Sequence, residues 1–172
     1  MAQQYSHSSI PFSNKHFPIV ILCDAIESPA NVGGLFRICE AFGVSKILFY
    51  KGNVNLSSSR LIRTARETHK YVDHAICTDV KSTLNTYIGK GYEVVSLEVS
   101  DISMPTENIS FNKNAIVLII GNEKFGVSEE LLSLTSKHMH IEMYGNNSSM
   151  NVIQATGIAL YTIVNKLKQH IE

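Results

Sequence analysis

The sequence predicts an α/β fold: a mainly parallel sheet flanked by helices. Three observations carry that prediction. Short apolar runs of strand length alternate with helix-period stretches from residue 17 onward. The run Ala115–Ile120 (AIVLII) is apolar at every position, as expected of a central strand covered on both faces. The chain closes on a long periodic stretch, with Val152, Ile153, Ala155, Ile158, Ala159, Ile163, Val164 and Leu167 at helical spacing. Strands separated by helices imply right-handed crossovers within one sheet.

Each element follows in order. Phe17–Cys23 (FPIVILC) reads as a buried strand with Pro18 near its start. Asp24–Pro29 turns the chain. Pro29 suits the first turn of a helix that runs through Val32, Leu35, Phe36, Ile38, Cys39, Ala41 and Phe42 and stops at Gly43. Ser45–Tyr50 is a strand broken by Gly52-Asn53, Ser57–Lys70 a helix and Tyr71–Cys77 a strand. Val80–Lys90 is a helix closed by Gly89 and Gly91, and Tyr92–Leu97 a strand. Residues 98–114 read as an irregular polar connection to Ala115–Ile120. Gly121–Val127 is a loop, Ser128–Leu134 a helix that Ser128 and Glu130 could cap, His138–Ile141 a last strand, and 151–170 the final helix. Residues 1–17 read as a mobile arm, so the 172 residues make a single domain.

Composition narrows the class. Hydrophobic residues make up 44% and charged residues 17%, as in ordinary globular proteins. Fifteen Lys and Arg balance fifteen Asp and Glu, so a nucleic-acid partner must be held by a local patch. Cys23, Cys39 and Cys77 lack metal-ligand spacing, and an odd count argues against a disulfide framework. They read as small buried residues in a reducing compartment, and no metal is expected. No apolar run reaches membrane-spanning length and residues 1–16 hold no secretory core, so a cytoplasmic protein is expected.

In open α/β sheets, ligands bind beyond the carboxyl ends of the strands. Three loops there carry unusual residues. The first holds Asn31, Gly33, Gly34 and Arg37. Glycine in a helix costs about 1 kcal/mol relative to alanine. The Gly33-Gly34 pair therefore marks a close approach, by a packed neighbour or a ligand. Arg37 reads as a surface arginine, a partner of Glu40 at i+3, or a functional group. The second loop is Gly121-Asn122-Glu123-Lys124-Phe125-Gly126; it lacks the Lys-Ser/Thr of a P-loop. The third, Ile141–Val152, runs small polar residues into the final helix, where Ser149 or Asn151 could cap the helix or hold a polar ligand.

Taken in order, the three loops resemble the three motifs of the SpoU/TrmH family of RNA methyltransferases in the SPOUT superfamily. Asn31 through Arg37 resembles the first. Gly121-Asn122-Glu123 with Gly126 resembles the second. Ile141, Met143 and Gly145 with Ser149-Met150-Asn151-Val152 resemble the third. The resemblance covers about residues 18–168. Glu142 stands where the family has proline, and Met150 where leucine is commoner.

The resemblance implies a SPOUT fold with a deep trefoil knot in its C-terminal part, a rare exception to ordinary chain connections. It implies S-adenosylmethionine (S-adenosyl-L-methionine) as cofactor, a homodimer, and methyl transfer to a ribose 2′-hydroxyl of RNA. Leu97, Gly121, Ile141, Ser149 and Met150 become the cofactor-binding candidates. Arg37, Asn31, Glu123, Ser149 and Asn151 become the catalytic set, with Arg37 acting from the neighbouring subunit. Arg60, Arg63, Arg66 and Lys70, on one face of the expected 57–70 helix, become RNA-binding candidates; the alternative is a solvated charged face. Arg63-Thr64-Ala65 with Tyr71-Val72, and no preceding RNA-binding domain, point to tRNA ahead of rRNA. Ala155, Ala159 and Ile163 on the final helix form a candidate dimer surface.

Overall fold

The computed structural model describes every residue except Met1, His7, Ser8, Pro11, Ser13 and His170–Glu172, so parts of the expected arm and the end of the expected final helix lie outside the described residues. Its strands are β1 (Phe17–Asp24), β2 (Val44–Tyr50), β3 (His74–Cys77), β4 (Glu93–Leu97), β5 (Met104–Pro105), β6 (Ile116–Ile120) and β7 (Lys137–His140). Its helices are α1 (Pro29–Ala41), α2 (Ser59–Ala65), α3 (Val80–Gly89), α4 (Glu129–Leu132) and α5 (Val152–Gln169). The strands form one sheet in the order β3-β2-β1-β6-β4-β7-β5, and every strand pairing is parallel.

The apolar strands are apolar because both faces of the sheet are covered. Successive side chains point to opposite faces. In β1, Ile19, Ile21 and Cys23 enter the core beneath α1, α2 and α5, while Val20 and Leu22 enter the core beneath α3 and α4. β6 divides in the same way: Ile116, Leu118 and Ile120 on one side, Val117 and Ile119 on the other. Helix α5 buries Ile153, Ala159, Leu160, Ile163, Val164 and Leu167 against the first core. Full burial of each large aliphatic side chain is worth about 1.5–3 kcal/mol.

Helix α1 sits between α2 and α5, and its glycines set both distances. A Cβ on Gly33 would lie 2.7 Å from the Leu61 carbonyl oxygen and 2.8 Å from Thr64 Cβ. A Cβ on Gly34 would meet only the flexible Ile153 side chain, at 3.3 Å. The Gly33-Gly34 pair is thus a helix-packing device. Gly43, after α1, has φ +63°, and a Cβ there would lie 2.0 Å from the Lys15 carbonyl oxygen.

Several sequence expectations shift. Phe17, where the expected arm and the expected first strand overlap, goes with the strand and is buried as the first residue of β1. The helix expected over 57–70 ends at Ala65, because Arg66 (φ 46°) and Glu67 (φ 69°) are both left-handed. A 3-10 turn, Thr68–Lys70, follows, so β3 begins at His74 rather than Tyr71. Arg60, Arg63, Arg66 and Lys70 therefore do not share one continuous helical face: the first two lie on α2, Arg66 caps it, and Lys70 bonds Glu67 at 2.6 Å. Within the expected irregular connection, Met104–Pro105 pairs with β7 as a short edge strand. Ala159 and Ile163 are fully buried in the core and give no outer dimer surface; Ile158 and Tyr161 are the exposed apolar residues of α5.

The packing predicts opposite outcomes for the two neighbouring glycines. Gly33→Ala should lower stability by about 1–3 kcal/mol, since backbone must move. Gly34→Ala should leave it unchanged or raise it by up to about 1 kcal/mol through helix propensity. Urea denaturation midpoints of the two variants check this.

Candidate active site

β6, β4 and β7 lie side by side and parallel, so their carboxyl ends reach the same edge of the sheet. The segments that follow them, with the start of α5, enclose a cavity of about 490 Å³. That volume suits a small-molecule ligand. Leu97, Gly121, Ile141, Ser149 and Met150 all line it, as does Glu123. Asn31, Arg37 and Asn151 do not.

The loop after β6 is rigidly built. Asn122 and Gly126 exchange backbone hydrogen bonds at 3.0 and 2.9 Å. The Asn122 side-chain oxygen accepts from the backbone N–H groups of Lys124 (2.8 Å) and Phe125 (3.2 Å), and its Nδ2 donates to the Ala25 carbonyl at 2.8 Å. Behind this loop no side chain fits at Gly121, where a Cβ would lie 2.2 Å from the Gly126 carbonyl carbon. Glu98 links the loop to the neighbouring wall: Oε2 accepts from Val127 N at 2.8 Å and Oε1 from Val99 N at 3.0 Å. Buried Asp24 accepts from Ser128 N at 2.8 Å, tying the end of β1 to the same region.

A polar chain joins the three motif segments. Asn31 Nδ2 donates to Glu123 Oε1, and Asn151 Nδ2 donates to Asn31 Oδ1 at 3.2 Å. Asn151 Oδ1 accepts from Ile153 N at 2.9 Å and so caps α5. The chain has one consistent direction. A carboxylate only accepts, so the Asn31 amide nitrogen must face Glu123, which leaves its oxygen for Asn151. Asn151, not Ser149, is therefore the cap, and Ser149 on the cavity wall makes no hydrogen bond among the described residues.

Arg37 is exposed on α1, and its side chain forms neither a hydrogen bond nor an ion pair among the described residues, so the expected alternative pairing with Glu40 is not made. It occupies the side of α1 between the turns that meet α2 at Gly33 and α5 at Gly34. Arg60, Arg63, Arg66 and Lys70 are also exposed. Exposed Glu142, the departure from the family pattern, accepts a 2.8 Å hydrogen bond from the Tyr144 hydroxyl. That bond holds the Tyr144 pKa above its ordinary value. The cysteines are free and buried, and burial pushes the Cys23 and Cys39 thiols up, so both stay protonated at neutral pH. Among the described residues, no group of three or more His, Cys, Asp or Glu is placed to hold a metal ion. No described helix is long and apolar enough to cross a membrane.

Sequence reasoning assigned no role to Glu98, Val99, Lys124, Phe125 and His140, which also line the cavity, as does the motif residue Met143. Glu98 and Val99 directly follow β4 at the edge where the motifs gather, a signal that the sequence already contained.

An RNA-modifying α/β enzyme with its ligand site on the C-terminal edge is the class that the fold and the motifs define. The family described as "SpoU rRNA Methylase family" matches residues 18–161. The chain belongs to that family. A tRNA (guanosine(18)-2′-O)-methyltransferase of Aquifex aeolicus is 28% identical over 148 residues, 83% of this chain and 67% of that protein. A 23S rRNA (guanosine(2553)-2′-O)-methyltransferase of Bacillus subtilis is 26% identical over 83% of this chain and 56% of its own length. The chain thus spans between about half and two thirds of these relatives. The crystal structure of the A. aeolicus TrmH/SpoU tRNA modifying enzyme superposes with a TM-score of 0.79 at 26% identity, covering 91% of this chain and 79% of that one. An AdoMet-bound rRNA methyltransferase from Sinorhizobium meliloti shares the fold, with a TM-score of 0.79 at 22% identity over 94% of this chain and 59% of that one.

The polar chain yields a stability test. Asn31→Asp replaces the donor that faces Glu123 with a second acceptor. The hydrogen bond is lost and like charges face each other, so the melting temperature should fall by about 2–4 °C, equivalent to about 1 kcal/mol. Thermal melting of both proteins checks this.

Proposed function

We propose that the protein is an S-adenosylmethionine-dependent methyltransferase acting on a ribose 2′-hydroxyl of RNA, with tRNA the substrate ahead of rRNA. The observation that carries the reading is the cavity at the C-terminal edge, lined by all five cofactor candidates in a chain of this family. The tRNA assignment draws on the A. aeolicus relative, and the B. subtilis relative supports the rRNA alternative.

The residues present fit the cofactor. The cavity walls combine apolar Leu97, Ile141 and Met150 with backbone laid bare at Gly121. Such walls would hold a flat adenosine, and the free Ser149 hydroxyl on the wall would meet a polar group of the cofactor, while Asn151 caps α5 behind it. When bound, the cofactor supplies an electrophilic methyl on a sulfonium, so the protein need only aim the 2′-hydroxyl, whose proton would leave to solvent water.

Arg37 is the residue that aims the 2′-hydroxyl. A guanidinium stays charged in water and is a poor base, so its role is to hold the target phosphate and to stabilise charge growing on the 2′-oxygen. Arg37 does not line the cavity of its own chain, which suits delivery from a second copy in a homodimer. Asn31 and Asn151 hold Glu123 at the cavity wall. Arg60, Arg63, Arg66 and Lys70 contact RNA phosphates as scattered charges on α2 and its following turn. The reading includes a C-terminal trefoil knot, one methyltransferase domain and a cytoplasmic setting.

Arg37→Ala should cut methyl transfer by about 100-fold or more while the cofactor still binds. Transfer of labelled methyl to undermethylated tRNA and rRNA, with mass mapping of the product and calorimetry for the cofactor, checks this. Wild-type turnover in the variant, or a base-methylated product, would sink the reading.

A further inference from the structure

We infer that Phe125 is a stacking platform for a nucleobase of the RNA substrate, with Lys124 beside it to meet a phosphate. The inference rests on the RNA methyltransferase reading and adds to it a residue that none of the motif positions includes.

Phe125 lines the cavity, yet its side chain is 77% exposed. A phenyl ring left in water forgoes the burial that an apolar side chain normally gains. Floppiness does not explain its position. It sits between Asn122 and Gly126, in the loop locked by their paired backbone bonds and by the Asn122 side chain, which accepts from the N–H of Phe125 itself. The fold thus holds the ring at the cavity edge. Lys124 Nζ lies 5.1 Å from the ring centroid.

The chemistry suits a displaced base. A 2′-hydroxyl brought to the cavity from a loop or single-stranded segment belongs to a nucleotide whose unstacked base is free to take an aromatic partner. Every base has a π face, and an aromatic side chain replaces a stacking neighbour without reading sequence. The adjacent ammonium adds the local positive charge that a chain of zero formal net charge must supply piecemeal.

The sequence contains no tryptophan, so Phe125→Trp carries a single reporter at the proposed contact. Phe125→Ala and Phe125→Leu should each raise KM for undermethylated bulk tRNA about tenfold or more, while Phe125→Trp stays near wild type. Cofactor affinity by calorimetry should change far less than KM in all three, since the stacked base belongs to the RNA. Fluorescence of Phe125→Trp should be quenched by tRNA and not by inorganic polyphosphate, a polyanion without bases. A leucine variant as good as wild type would overturn the proposal. So would cofactor affinity that falls in step with KM, or polyphosphate that quenches as strongly as tRNA. Methyl transfer without quenching refutes the stacking role and leaves the enzymatic reading standing. Quenching by tRNA without any methyl transfer does the reverse.

Discussion

Ile116–Ile120 lies between β1 and β4, hydrogen-bonded in parallel to both, with all five side chains buried. A parallel central strand must be covered on both faces, which commits α1, α2 and α5 to one side and α3 and α4 to the other. The same orientation sends the exits of β6, β4 and β7 to one edge. The cavity, the motif-two loop and the cap of α5 all follow from that convergence.

Backbone pressed against backbone shapes the edge itself. Gly121 ends β6 where the returning Gly126–Val127 segment leaves no space for a side chain. Glu98 then fills the gap beside Gly126 and draws in the Val127 N–H. A wall made this way presents peptide groups to a ligand, and its shape depends little on which side chains flank it.

Much of this was legible in the sequence. Apolar runs marked β1 and β6, and Pro29 and Gly43 bracket α1. The ordered motifs brought the cofactor candidates to one cavity, because loops that follow parallel strands cannot do otherwise. Periodicity failed where backbone conformation overrode it. Nothing in Arg66-Glu67 signals two successive left-handed residues, which non-glycine side chains rarely adopt, so the basic stretch read as one helix. The outer face of α5 was misread because Ala159 and Ile163 share the buried face with Ile153, Leu160, Val164 and Leu167. The link from Asn31 to Glu123 was invisible for a simpler reason: 92 residues separate them, and no local pattern reports so distant a contact. Glu142 gained a partner in Tyr144, a pair that spacing alone does not announce.

The Asn31–Asn151 bond spans 120 residues and closes only when α5 docks beside α1. Contacts that distant in sequence form late, after the entropy of closing the intervening chain has been met. A ribosome delivers the chain from its N-terminus, so β1, α1 and β2 emerge long before Ser148–Ala155, which complete the cavity. The cavity is therefore unfinished in any chain whose last helix has not yet docked.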